Sequence, residues 1–255
     1  MIAVVSCLQR TMKRLFLPFF LCLGLVSVAR PLAGQTPTSP TLRLLTQEAL
    51  GEKLMGTLTW SRPGHGDIAK VRALLQQGAS PNSRNWDGNS LTALMVASQK
   101  GDADIVKLLL DDGAEVNPEA GAVSGAGGQV TGITALSQAA YSGNLSIVRM
   151  LVEHGADVHA VDGRGATVLA YATTNEIAQF FLDRGLDINA RDQDGYTLLI
   201  RSGEPFHRPS IAFLLEHGAD PNAKAKDGTT ALKLAQGRFG HPDDVELLKK
   251  AGAKE

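Results

Sequence analysis

Gly218-Ala219-Asp220-Pro221-Asn222 follows a run of apolar residues, and close variants of this phrase recur along the chain. The other copies are Gly78-Ala79-Ser80-Pro81-Asn82, Gly113-Ala114-Glu115-Val116-Asn117, Gly155-Ala156-Asp157-Val158-His159, Gly185-Leu186-Asp187-Ile188-Asn189 and the truncated Gly252-Ala253-Lys254. Such a repeat indicates stacked supersecondary units that bury a continuous core between neighbours. We therefore expect function on an extended surface rather than in one enclosed pocket.

A second landmark, Thr-x-Leu, precedes each apolar run. Its copies are Thr92-Ala93-Leu94, Thr134-Ala135-Leu136, Thr167-Val168-Leu169, Thr197-Leu198-Leu199 and Thr230-Ala231-Leu232. A Thr in this position can cap a helix by accepting a hydrogen bond from a first-turn amide. The nearly constant interval from each Thr to the next Gly predicts two short antiparallel helices, of which the second is the more apolar.

The segments between helix pairs carry turn signals. Asp194-Gly195 and Asp227-Gly228 are dipeptides that favour tight turns, and the Gly of each phrase can end a helix in the left-handed conformation. The sequence therefore predicts a protruding, hairpin-like turn between successive helix pairs.

These features together resemble the ankyrin repeat, whose unit combines Asp-Gly-x-Thr-Pro-Leu-His with a second helix that ends Leu-Leu and then Gly-Ala-Asp-x-Asn. The best matches are Asp227 to Leu232 and Ile147 to Val158, and the resemblance covers about 42–255. It implies an all-α repeat solenoid of stacked helix-turn-helix units, with a degenerate N-terminal unit at 42–83 and about five further units. It also implies protein binding without fixed catalytic residues.

The chain departs from this family pattern at the position of its His. That position holds Met95, Ser137, Ala170, Ile200 and Lys233. Loss of the His removes a hydrogen-bonding link between adjacent turns, so we expect lower stability than that of an idealised array.

The N-terminus reads as a secretory signal peptide at 1–34. Lys13 and Arg14 precede an apolar stretch, and small residues such as Ala33 and Gly34 follow. Met12 is an alternative start of translation. Residues 35–41 are rich in Pro and Thr, which predicts a linker. We expect export to the periplasm or the exterior of the cell. The alternative is an uncleaved membrane anchor, although the apolar stretch is shorter than a typical membrane span, which needs about 20 residues.

The charge balance gives no reason to expect a nucleic-acid partner. The chain has 25 Lys and Arg against 26 Asp and Glu, and the charged residues of the predicted leader are all basic, so its removal leaves an acidic product. Both cysteines, Cys7 and Cys22, also lie in the leader. We therefore expect the mature chain to have neither a disulfide framework nor a Cys-ligated metal.

The candidate partner-binding residues lie on the predicted hairpins and on irregular turns. They are Arg84, Asn85, Trp86, Asp87, Gln129, His159, Arg164, Arg191, Phe206, His207 and Arg208. Trp and Arg on exposed turns are the types that dominate interface energetics. Two of these assignments have a purely structural alternative. Trp86 could pack on its neighbouring turn, and the prolines beside Phe206 could simply make that loop rigid.

Two further observations bear on function. Gly-rich residues 118–132 enlarge one connection, as either a tolerated insertion or a finger that contacts a partner. The histidines, including His154 and His217 just before helix-ending glycines, suit structural roles better than metal ligation. We therefore expect no catalytic, cofactor or metal site and a monomeric, exported module that binds a partner protein, without stable membrane insertion after signal cleavage. The alternatives are an enzyme or small-ligand protein that uses the concave groove, and a membrane-anchored or cytoplasmic scaffold.

Overall fold

The computed structural model describes residues 40–64, 66–85, 90–118, 123–125, 128–202, 209–237 and 240–254. The chain divides into two compact units, Met1–Leu45 and Thr46–Glu255. Only the first turns of one helix are described in the former, and the predicted signal peptide lies outside the described residues. Among the described helices, none combines the length and the apolar character needed to cross a membrane.

The described chain is built almost entirely of paired helices. The N-terminal repeat unit contains α1 (Pro40–Trp60) and α2 (Ile68–Gln76). Unit 1 pairs α3 (Ala93–Lys100) with α4 (Ala103–Asp111). Unit 2 pairs α5 (Ala135–Tyr141) with α6 (Leu145–Glu153). Unit 3 pairs a 3₁₀ helix (Val168–Tyr171) with α7 (Asn175–Leu182), unit 4 pairs α8 (Leu198–Ser202) with α9 (Ile211–Glu216), and unit 5 pairs α10 (Ala231–Ala235) with α11 (Pro242–Lys250). The predicted repeat solenoid is confirmed, and α1 begins at Pro40, inside the predicted linker.

The Thr caps form in every unit from 1 to 5 except unit 3. In the others the Thr Oγ1 accepts a hydrogen bond from an amide three residues ahead, at 3.2–3.3 Å, from Met95, Ser137, Ile200 and Lys233. Thr167 makes no such bond. The cap predicted there is wrong because the shortened unit forms only a 3₁₀ turn before α7.

The glycine of the recurring phrase ends the second helix of each unit in the left-handed conformation, as predicted. The six glycines have φ between 82° and 98°: Gly78, Gly113, Gly155, Gly185, Gly218 and Gly252. One buried apolar cluster runs through the helix pairs, from Leu54 in α1 to Leu248 in α11. The units of the Thr46–Glu255 array therefore share a continuous core.

The enlarged connection contains two short strands, β1 (Val123–Gly125) and β2 (Gly128–Val130). They pair antiparallel, with Val123 opposite Val130. The long insertion thus extends a hairpin instead of adding a helix to the array.

Candidate interaction surface at the hairpin tips

The hairpins between helix pairs are closed by backbone hydrogen bonds. Val161 bridges Thr167 in an antiparallel arrangement, and the amide of Asp162 donates to the carbonyl of Ala166 at 2.9 Å. Asp192 and Tyr196 make the same bond one unit later, at 3.1 Å. The tips of units 3 and 4 therefore share one backbone design.

Consecutive tips are also bonded directly to each other. The amide of Gly163 donates to Thr131 O at 2.9 Å, that of Gln193 to Arg164 O at 2.7 Å, and that of Lys226 to Asp194 O at 2.8 Å. Gly195 shows how close the tips are: it has φ +83°, and a Cβ there would lie 3.3 Å from the backbone of Lys226. The tips form an edge whose residues keep fixed relative positions.

A buried aspartate holds the unit 3 tip against its helix. Asp162 is 6 % exposed and accepts hydrogen bonds from the amides of Arg164 and Ala166 at 2.8 and 2.9 Å. Its other oxygen accepts from the hydroxyl of Tyr171 at 2.6 Å. Burial, together with this bond to a carboxylate, raises the pKa of the Tyr171 phenol above its ordinary value.

Asp192 repeats this arrangement in unit 4 with a different helix partner. It is 8 % exposed, accepts from the amides of Asp194 and Tyr196 at 3.0 and 2.9 Å, and forms a close ion pair with Arg201. In each unit the partner lies four residues after the Thr of Thr-x-Leu, so an arginine in one unit replaces a tyrosine in the other.

A second row of bonds joins the turns that follow the second helices. Asn189 donates to Gly218 O at 3.0 Å and accepts from the amide of Asp220 at 2.8 Å. Asn117 and Asn222 make the equivalent pairs of bonds to the following unit. Each of these Asn side chains therefore ties its own turn to the glycine turn of the next unit.

Several predicted partner-binding residues are bonded within the array. Arg84 donates to Ser90 O at 2.7 Å, and Asn85 accepts from the amide of Leu91 at 2.8 Å, so both help to close the unit 1 hairpin. Arg164 donates to Asp162, and Arg191 donates to the carbonyl of Lys224 in the next tip at 2.9 Å. The structure therefore gives all four a local structural contact, and their part in partner binding stays a prediction.

The remaining predictions divide by what the structure describes. His159 is exposed, and no described hydrogen bond from its ring reaches the next unit. The backbone of Gln129 lies in β2, whereas its side chain, Trp86 and Asp87 lie outside the described part. The same holds for the loop residues Phe206, His207 and Arg208.

The histidines before the helix-ending glycines have the structural role expected of them. The Nδ1 atom of His154 lies 2.8 Å from Met150 O, and that of His217 lies 2.7 Å from Phe213 O. Within the described residues, no group of three or more His, Cys, Asp or Glu is placed to hold a metal ion.

A shallow cleft lies where units 3 and 4 meet, between the tips and the turns. Its volume is about 260 Å³, including space open to solvent, and Leu169, Ile188, Arg191 and Tyr196 are among its lining residues. Most of this space is open to solvent, and the enclosed part has room for about one water molecule, far less than a small-molecule site needs. The cleft therefore gives little support to a small-ligand function.

Sequence reasoning identified Arg164 and Arg191 but missed four other charged residues of this surface: Asp162, Asp192, Lys224 and Lys226. Asp162 and Asp192 could have been recognised from the sequence as repeat-equivalent residues, since each stands five residues before the Thr of Thr-x-Leu. Lys224 and Lys226 are both exposed on the unit 5 tip and carry no local motif. Their relevance depends on which neighbours the stacking brings beside them.

The comparisons with known proteins agree with this architecture. A family model described as ankyrin repeats, in three copies, matches residues 60–120, 120–192 and 171–255. No curated protein matches the chain significantly. Ankyrin repeats generally mediate protein–protein interaction and are typically non-enzymatic. Because the matched segments span well over half of the sequence, this chain belongs to the ankyrin repeat family.

Proposed function

We propose that the chain is an exported, non-enzymatic interaction module that binds a partner protein across its hairpin tips and first-helix face. The observation that carries this proposal is the direct hydrogen bonding between successive tips at Gly163, Gln193 and Lys226. The backbone of such an edge is held in place before a partner arrives, which lowers the entropic cost of binding.

Exposed apolar surface on the same edge supports the proposal. Val161 is 54 % exposed on the unit 3 tip, where its backbone bridges Thr167. A β-branched side chain held open to water on a rigid turn can be covered by a partner at little conformational cost.

Affinity capture from an extracytoplasmic fraction tests the binding surface. The mature chain, the tip variant Val161→Glu and the control Leu247→Glu are compared. Leu247 is 36 % exposed on α11, so the control replaces another exposed aliphatic residue on a second helix. We expect the wild type and the control to capture the same protein and the tip variant to lose it; absence of any specific partner would contradict the proposal.

Export is tested separately by N-terminal sequencing of the protein recovered from each cell fraction. A mature chain that starts near Gln35 in the periplasmic or secreted fraction is the expected result. An intact N-terminus in the membrane or cytoplasmic fraction would instead favour the anchored or cytoplasmic scaffold.

A further inference from the structure

We propose that the partner presents an acidic polypeptide segment, bound by a basic strip that consists of Arg164, Arg191, Lys224 and Lys226. This inference rests on the proposed function and specifies the chemistry of the partner. The strip runs across the tips of units 3, 4 and 5.

The backbone bonds between tips bring the strip together. Gln193, two residues after Arg191, donates its amide to Arg164 O at 2.7 Å, and Arg191 Nη1 lies 2.9 Å from Lys224 O. Lys226 donates its amide to the unit 4 tip at Asp194. Cations that are far apart in sequence thus lie on adjacent turns.

Asp162 forms an ion pair with Arg164, so in the part of the chain that the structure describes the unpaired cations of the strip are Arg191, Lys224 and Lys226. Asp162 and Asp192 have side chains that are only 2 % exposed, and their oxygens are occupied by amides, Tyr171 and basic partners. Arg191, Lys224 and Lys226 are exposed, and none of them forms an ion pair within the described residues. Asp194 and Asp227 are also exposed on the tips of units 4 and 5. These two tips of the strip therefore present three cations against two carboxylates, a positive surplus of one.

Charge on the turns that follow the second helices of units 1 to 4 has the opposite sign, whereas Lys254 takes the equivalent place in unit 5. Four repeat-equivalent carboxylates are exposed there: Glu115, Asp157, Asp187 and Asp220. An acidic segment is therefore attracted to the tips and repelled from this row, which fixes where it binds and favours its approach. The same row, and a chain with a formal net charge of −1, disfavour a nucleic acid as the partner.

The inference can be tested with fluorescein-labelled poly-L-glutamate as the acidic probe. Fluorescence anisotropy would compare the mature wild type with Lys224→Glu/Lys226→Glu and with the control Lys53→Glu/Lys70→Glu. The control changes two exposed lysines of the N-terminal unit and alters the net charge equally. We expect the tip pair to weaken binding at least about tenfold and the control pair to leave it within about twofold, with affinity falling as salt is added.

Three results would overturn the inference: no binding by the wild type at low salt, equal weakening by both pairs, or tighter binding of an oligothymidylate of similar length. Thermal melting of each variant checks folding, and Lys224→Gln/Lys226→Gln replaces the reversed pair if that pair melts lower. A partner that is captured from cells equally well by the tip pair would refute the acidic segment while leaving the proposed function intact. Loss of capture by every form of the protein would instead contradict the proposed function.

Discussion

The Asn of the recurring phrase uses both ends of its amide to join one unit to the next. His159 occupies this place in unit 2, and an imidazole cannot donate to the carbonyl of Gly185 and accept from the amide of Asp187 with the geometry of an amide. The equivalent bonds of Asn189 to the following unit measure 3.0 and 2.8 Å. The ladder is therefore interrupted where units 2 and 3 meet.

We expect His159→Asn to raise the free energy of unfolding by about 1 kcal/mol, since it restores hydrogen bonds to exposed backbone groups. The reciprocal change, Asn189→His, should lower it by a similar amount. Urea denaturation of both variants and the wild type measures the difference. Stabilisation by both changes would show that the amide bridge is not the cause.

Tyr171 and Asp162 make a pH-dependent contribution to stability. We expect Tyr171→Phe to cost about 1–2 kcal/mol at neutral pH, because it removes a donor from a buried carboxylate. The folded state raises the pKa of Tyr171 above the unfolded value of about 10, so folding favours the protonated phenol. Its contribution is complete below pH about 10 and declines as the pH rises further, because only the unfolded chain then ionises readily.

Urea titrations of the wild type and Tyr171→Phe at several pH values test this directly. The stability difference between the two proteins should be constant from neutral pH to about 9 and should shrink above about 10. Taking the difference removes the contributions of the other groups that titrate at high pH. A difference that grows at high pH would reverse the sign of the argument.

At the scale of the helices, the Thr caps offer a comparison between units. Thr134→Ala should lower stability by about 1 kcal/mol, because it removes the 3.2 Å bond from the amide of Ser137. Thr167→Ala should change stability by much less, since Thr167 caps nothing. Thermal and urea unfolding distinguish the two, and an equal cost at both sites would mean that the loss comes from packing rather than from capping.

The helix pairs, their glycine stops and most of their caps could be predicted because each depends on residues within one unit. The 3₁₀ helix of unit 3 could not, because Thr167-Val168-Leu169 carries the same start signal as its equivalents and differs only in the length that follows. The hydrogen bonds between neighbouring tips could not be predicted, for a different reason. Arg191 reaches the carbonyl of Lys224 across 33 residues, and such a contact exists only once the units are stacked.

At the scale of the array, the interface between units 2 and 3 differs from the interfaces between the other neighbouring units. It lacks the Asn bridge but retains two hydrogen bonds, from Gly163 N to Thr131 O at 2.9 Å and from Thr173 Oγ1 to Ala140 O at 3.1 Å. A guanidinium also crosses it, since Arg149 Cζ of α6 lies 5.3 Å from the ring centroid of Phe180 in α7. An array held by nearest-neighbour contacts opens first at its weakest interface.

Native-state hydrogen exchange followed by mass spectrometry should show units 3 to 5 opening together at a lower free energy than the units before them. Phe180→Leu removes the ring that faces Arg149 across the interface and Arg184 within unit 3, so we expect it to lower this opening energy further by about 1 kcal/mol. Phe213→Leu is the matched control: its ring contacts His217 of its own unit, with centroids 4.1 Å apart, so it should not shift the boundary between the two groups of amides. If all units exchange at one common free energy in every variant, the interface at His159 is not the weak point of the array, and the stacking energy is spread evenly along it.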